Sequence, residues 1–110
     1  MGWLLGGYNY RRLIVMYNMR VSCSFLWRFD ERIELLSYLK EKGFYVRMHA
    51  YEYLVGYGGK LLGIIFLDTI NCRVEVFAVP GVEERMLRRL VEMLSSKYPD
   101  VGVEVYGLSV

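Results

Sequence analysis

The spacing of apolar residues is clearest just after Arg28, where it predicts one helix. Apolar side chains recur there at three- and four-residue intervals, as at Leu36 and Leu39, which places them on one face of a helix. Asp30 is predicted to be the N-cap residue, and Gly43 supplies the residue that ends the helix. The pattern therefore predicts a helix over residues 31–42.

After this helix the apolar and polar residues alternate with a period of two, which is typical of a half-buried strand. Strands are predicted at residues 44–54, 60–68 and 72–79. A glycine-rich hairpin turn at residues 56–59 and a second turn at residues 69–71 separate them. We expect these three strands to form an antiparallel meander.

A second helix is predicted after Pro80 and Gly81, because apolar residues again recur at helical spacing, as at Leu90 and Leu94. A final short strand is predicted at residues 101–105, where valines alternate with other residues.

The N-terminal part of the chain gives a weaker pattern. A strand is predicted at residues 20–28, and residues 13–17 are either a separate strand or a continuation of the same one. We therefore divide the chain into an N-terminal extension or extra strand at residues 1–18 and a single domain at residues 19–110.

The predicted order of elements is β-α-β-β-β-α-β, with or without an extra strand at the N-terminus. This order resembles the split βαβ, ferredoxin-like arrangement. The expected fold class is α+β, a two-layer sandwich in which both helices cover one face of a mostly antiparallel sheet. The other face is expected to be open to solvent or to a partner.

The composition is that of a folded protein, since 55% of the 110 residues are hydrophobic and 15% are aromatic. The formal net charge of +2 is too small to indicate nucleic acid or an anionic membrane by itself. No apolar run approaches the length of a membrane span, and the first residues lack the pattern of a signal peptide. The expected location is therefore the cytoplasm, with no membrane partner.

Cysteine and amide content give a hint about the environment. Glutamine is absent and asparagine is scarce, which is a trend of hyperthermophile proteins. The two cysteines, Cys23 and Cys72, are too few for a zinc module or a disulfide framework. Two buried thiols are the default expectation, and a Cys23–Cys72 disulfide is the alternative if the source is a hyperthermophile.

The motifs of common enzymes are absent from the sequence. His49 is the only histidine, so a metal site with several histidine ligands within one chain is excluded. The glycine-rich stretch at residues 56–60 lacks the spacing of a phosphate-binding loop and is better explained as a hairpin turn. We therefore expect no catalytic residue, no metal and no cofactor, and the sequence favours a protein that is not an enzyme.

The main candidate site lies on the strand that begins at residue 44. If that strand continues regularly, its polar positions share one face: Tyr45, Arg47, His49, Tyr51 and Tyr53. Arg73 and Phe77, from a later strand, are expected on the same surface. Tyrosine and arginine are enriched at protein contacts, and aromatic rings on an open sheet also stack on bases of single-stranded RNA.

Three functions follow from this reading. The first is a protein-binding or self-assembling module that forms a homo-oligomer or binds a protein partner through this face. The alternative is a domain that binds single-stranded RNA or another nucleic acid through the same residues. A small enzyme or ligand-binding domain with an unidentified site is the third.

Overall fold

A computed structural model describes residues 9–16 and 28–109 of the chain, and the account below concerns these residues. In chain order they form the following elements: β1 (Asn9–Met16), α1 (Phe29–Glu41), β2 (Tyr45–His49), β3 (Glu52–Tyr57), β4 (Lys60–Asp68), β5 (Arg73–Ala78), α2 (Glu84–Lys97) and β6 (Gly102–Ser109). The predicted strand at residues 20–28 lies outside the described residues except for Arg28.

Helix α1 lies close to its predicted position but begins two residues earlier than expected. Its N-cap is Arg28 rather than Asp30, so the predicted cap is wrong. Asp30 lies in the first turn, where its carboxylate complements the helix dipole and forms an ion pair with Arg28 at 2.6 Å. Gly43, with a φ of 94°, follows the helix as predicted and reverses the chain into β2.

The strand predicted at residues 44–54 is in fact two strands, so the single-strand prediction is wrong. The chain reverses at Ala50 and Tyr51, and β2 and β3 pair as an antiparallel hairpin in which His49 lies opposite Glu52. Ala50 adopts a left-handed φ of 55°, which a non-glycine residue seldom does. This turn contains no glycine, proline or asparagine, and the alternation of residue types runs through it without interruption.

The described strands form one six-stranded sheet in the order β1-β6-β5-β4-β3-β2. All neighbours are antiparallel except β5 and β6, which are parallel and are connected through α2. The α+β class and the mostly antiparallel sheet are therefore confirmed. The ferredoxin-like topology is not confirmed, because in the described part of the chain α1 lies between strands at opposite edges of the sheet, whereas α2 connects adjacent strands.

Both helices pack on the same face of the sheet and close the main core. The helices contribute fully buried leucines, among them Leu35 of α1 and Leu90 of α2, and the sheet contributes valines and isoleucine such as Val76 and Ile65. The helices are also linked at their ends by Lys97, whose Nζ lies 2.9 Å from a carboxylate oxygen of Glu34. The opposite face of the sheet carries no helix of the described residues.

Cys72 is disulfide-bonded, so the expectation of a free thiol at this position is wrong. It lies in the turn between β4 and β5 with a left-handed φ of 55°. The other cysteine of the chain, Cys23, is outside the described residues.

Candidate functional site

The side chains that point away from the helices form aligned rows across the sheet. One such row, called the apolar row below, consists of Leu54, Ile64, Phe77 and Tyr106, which lie opposite one another in the register of β3 to β6. The rings of Phe77 and Tyr106 stack with their centroids 5.1 Å apart. Phe77 is 7% exposed and Ile64 is 6% exposed, so this face is far less open than the sequence analysis expected.

Next to the apolar row lies a cluster of charges, called the Arg73 cluster and formed by Asp68, Arg73, Glu75 and Glu104. The Arg73 Nε lies 2.8 Å from a carboxylate oxygen of Glu75 and 3.0 Å from one of Glu104. The same nitrogen lies 3.8 Å from Asp68. All three carboxylates are buried. The cluster is therefore a largely internal ion network around Arg73.

The ionisation of these groups reflects their burial. Burial raises the pKa of Glu75, and the hydrogen bond from Arg73 offsets this only in part. Burial also opposes the ionisation of Asp68, but hydrogen bonds from the side chain and backbone of Asn71 hold the pKa of Asp68 below its usual value. Burial and the hydrogen bond that it donates to Glu104, at 2.8 Å, raise the pKa of Tyr106 to about 12.

At the other end of the same face the sheet has an exposed apolar hollow. Tyr45 of β2, Gly56 of β3 and Leu61 of β4 lie in one row across the strands. Tyr45 is 58% exposed and Leu61 is 45% exposed. Between them Gly56 has no side chain, and the register shifts beside it, between Val55 and Gly56. A Cβ atom at position 56 would lie 2.9 Å from the carbonyl oxygen of Lys60, so the backbone there requires glycine.

The cavity between these residues, called the Tyr45 hollow below, has a volume of about 230 Å³. Its walls are formed by Tyr45, Gly56, Tyr57, Gly59, Lys60 and Leu61. The hollow therefore combines exposed apolar surface with one cation, Lys60, where β2, β3 and β4 lie side by side.

A second cavity, of about 380 Å³, lies between the β3–β4 hairpin and the connection from β5 to α2. The ionisable side chains that line it are Tyr57, Lys60 and Glu83. These three groups do not include a nucleophile paired with a general base, so the cavity gives no indication of catalysis.

Five of the seven residues predicted as a site lie on the helix-free face: Tyr45, Arg47, His49, Arg73 and Phe77. The first three are exposed on β2. Arg73 and Phe77 lie three strands away on β5, which corresponds to about 14 Å at the usual strand spacing. The structure therefore separates the predicted site into two groups rather than one patch.

The other two predicted residues, Tyr51 and Tyr53, do not share this face. Tyr53 is 0% exposed in the core beneath the helices, and its hydroxyl donates to the carbonyl oxygen of Arg32 at 2.8 Å. Tyr51 packs against the same core, and the Arg32 guanidinium lies 4.2 Å from the centre of its ring. The turn at Ala50 causes this difference, because it ends the alternation that the sequence analysis extended to Tyr53.

The sequence analysis missed Gly56 and Leu61, which complete the Tyr45 hollow, and the three carboxylates around Arg73. A glycine within a strand pattern often marks a bulge, so Gly56 was a usable signal for an irregularity there. The carboxylates come from β4, β5 and β6, and only the register of the sheet brings them together.

Comparisons with protein-family models, curated proteins and solved structures find no match. Among the described residues, no cluster of three or more histidine, cysteine or acidic side chains has the geometry to hold a metal ion. Neither helix in this part of the chain is long and apolar enough to cross a membrane.

Proposed function

We propose that this protein is a self-assembling module whose contact surface is the outer edge of β2 together with the Tyr45 hollow. The observation that carries the proposal is the position of Tyr45 and Leu61. Both belong to the few large apolar side chains that are exposed in the described residues, and they line the same cavity. Apolar side chains around a concavity are typical of protein contacts, because their burial excludes water.

The position of β2 supports the same proposal. It is an outer strand of the sheet, and within the described residues it pairs with β3 alone. An outer strand presents unpaired backbone N–H and C=O groups that a strand from another chain can complete. The Tyr45 hollow begins at this strand, so a partner that pairs with β2 would also meet exposed apolar side chains.

The Arg73 cluster favours assembly over the nucleic-acid alternative. RNA binding through the predicted face needs Arg73 to meet phosphates and Phe77 to stack on bases. Arg73 already has three carboxylates within 3.8 Å, and Phe77 is stacked on Tyr106 with 7% of its surface exposed.

Light scattering on the purified protein over a range of concentrations tests the proposal. We expect a dimer or larger assembly whose mass is unaffected by short single-stranded RNA. Tyr45→Arg should dissociate it, because the change puts a charge into the apolar contact. Since Tyr45 is 58% exposed, this variant should keep its circular dichroism spectrum and thermal midpoint.

Ile70→Arg is the matched control. Ile70 is 87% exposed but lies in the turn after Asp68, at the end of β4 that is about 23 Å from Leu61 at the usual rise per residue. The control should assemble like the wild type. A wild-type protein that stays monomeric would contradict the proposal, and a monomer that binds RNA with a steep salt dependence would favour the alternative.

A further inference from the structure

We infer that the partner is a second copy of this chain, paired β2 to β2 in an antiparallel manner, with Val46 of one copy opposite Val46 of the other. This inference rests on the proposed function, because it specifies the partner and the register for the same edge. The two copies would be related by a twofold axis, which makes each contact occur twice.

The hydrogen bonds of the sheet determine which backbone groups of β2 are bonded to β3 and which point away from it. The β2–β3 hairpin has a two-residue turn between His49 and Glu52, so these two residues form the first hydrogen-bonded pair. Every second residue along β2 then also bonds to β3, so Arg47 and Tyr45 have their backbone groups bonded to β3 as well. The N–H and C=O groups of Val46 and Met48 consequently point away from β3, toward the outer edge.

The neighbouring pair of strands agrees with this assignment. Leu67 donates its backbone N–H to the carbonyl oxygen of Tyr51 at 2.9 Å. The backbone groups of Tyr51, and of every second residue after it, therefore bond to β4. Those of Glu52, and of every second residue after it, bond to β2. Two independent contacts thus give the same orientation for the β2 backbone.

Three symmetric antiparallel registers place Val46 or Met48 opposite one of these same two residues of the second copy, and they are centred on Val46, on Arg47 or on Met48. The register centred on Arg47 places two guanidinium groups directly opposite each other, which is unfavourable. The register centred on Met48 pairs Val46 with Ala50. The Ala50 backbone is reversed by its φ of 55°, and its carbonyl oxygen already accepts a hydrogen bond from Arg32 at 3.0 Å.

The register centred on Val46 has complementary side chains on both faces. On the helix-free face, Tyr45 lies opposite Arg47 of the second copy. The aromatic ring and the guanidinium attract each other, and the twofold symmetry forms this pair twice. On the helix side the buried Val46 meets its equivalent, and Met48 lies opposite Phe44. The Phe44 N–H is already bonded to the Leu39 carbonyl at 3.1 Å, so the Phe44 carbonyl is the group that would accept from Met48.

A charge exchange between positions 45 and 47 tests this register by sedimentation equilibrium. Tyr45→Arg places two arginines opposite each other at both ends of the pair and should weaken the dimer by at least about tenfold. Tyr45→Arg combined with Arg47→Glu places opposite charges there and should restore most of the wild-type affinity. Arg47→Ala should weaken the dimer in this register, because Tyr45 loses its cation.

The outcomes separate the register from the proposed function. A wild-type dimer that Tyr45→Arg dissociates, with no recovery in the double variant, would overturn the Val46-centred register and leave assembly through this edge intact. A dimer strengthened by Arg47→Ala would also overturn it, since relief of repulsion is expected only where Arg47 faces Arg47. A monomeric wild type with a native circular dichroism spectrum would refute the proposed function itself.

Discussion

Replacement of Arg73 by methionine tests the account of the helix-free face, because it removes the only cation of the Arg73 cluster and keeps a side chain of similar length. The guanidinium lies within 3.0 Å of carboxylate oxygens of both Glu75 and Glu104. Removal of one partner from a buried ion pair costs about 3–5 kcal/mol, whereas an exposed pair contributes less than about 1 kcal/mol. The Arg73 side chain is 36% exposed and the two glutamates are 5% and 6% exposed. We therefore expect a loss of about 2–3 kcal/mol at pH 7.

This loss should depend on pH in a definite direction. Without the hydrogen bond from Arg73, burial and the neighbouring Asp68 hold the folded-state pKa of Glu75 above the value of an unfolded glutamate, about 4.3. The folded state then binds more protons than the unfolded state, so the stability of the variant rises relative to wild type as the pH falls toward this value. The difference in unfolding free energy between wild type and variant should shrink between pH 7 and about pH 4.5.

Urea unfolding followed by circular dichroism at both pH values measures this difference. Arg88→Met is the matched control, because Arg88 is paired with Glu84 at 3.1 Å but the two side chains are 64% and 82% exposed. The control should cost less than about 0.5 kcal/mol at either pH. A loss for Arg73→Met no larger than that of the control, or one that is equal at both pH values, would refute the reasoning.

Three further stability predictions follow from the core and the sheet, each measured as the free energy of unfolding in urea. Tyr53→Phe should cost about 1 kcal/mol, because it removes the hydrogen bond from the Tyr53 hydroxyl to the Arg32 carbonyl oxygen, and a neutral result would contradict this. Leu90→Ala should cost about 2–5 kcal/mol, because Leu90 is 0% exposed between α2 and the sheet. Gly63→Ala should cost at least about 1–3 kcal/mol, because the added Cβ would clash with the Phe77 carbonyl oxygen; wild-type stability would show that β4 and β5 can separate there without cost.

The helices and most strands could be predicted from the sequence because their signals are local. The leucines of α1 and α2 recur at helical spacing, and the same residues are buried against the sheet. The turn at Ala50 could not be predicted in this way. Its residues are not typical turn formers, and the tertiary structure holds Ala50 in a left-handed conformation that the Arg32 side chain contacts through a hydrogen bond to its carbonyl.

The candidate site was less predictable than the fold because it depends on the register between strands that are distant in sequence. Tyr45 could be selected from the alternation of residues in β2. Tyr45 lines the hollow only because Gly56, which has no side chain, lies between Tyr45 and Leu61 in the folded sheet. Likewise the sequence analysis expected Arg73 on the same open surface as Tyr45, whereas the pairing of β5 with β4 and β6 surrounds it with Asp68 and two glutamates.

Amide hydrogen exchange along β2, followed by NMR at low and high protein concentration, tests assembly through this edge most directly. The N–H groups of Arg47 and His49 bond to β3 within the chain, so they should be protected at every concentration and serve as an internal reference. The N–H groups of Val46 and Met48 face outward and should gain protection as the protein assembles. Fast exchange of Val46 and Met48 at concentrations where the protein is fully assembled would contradict the account, because the contact would then lie elsewhere on the molecule.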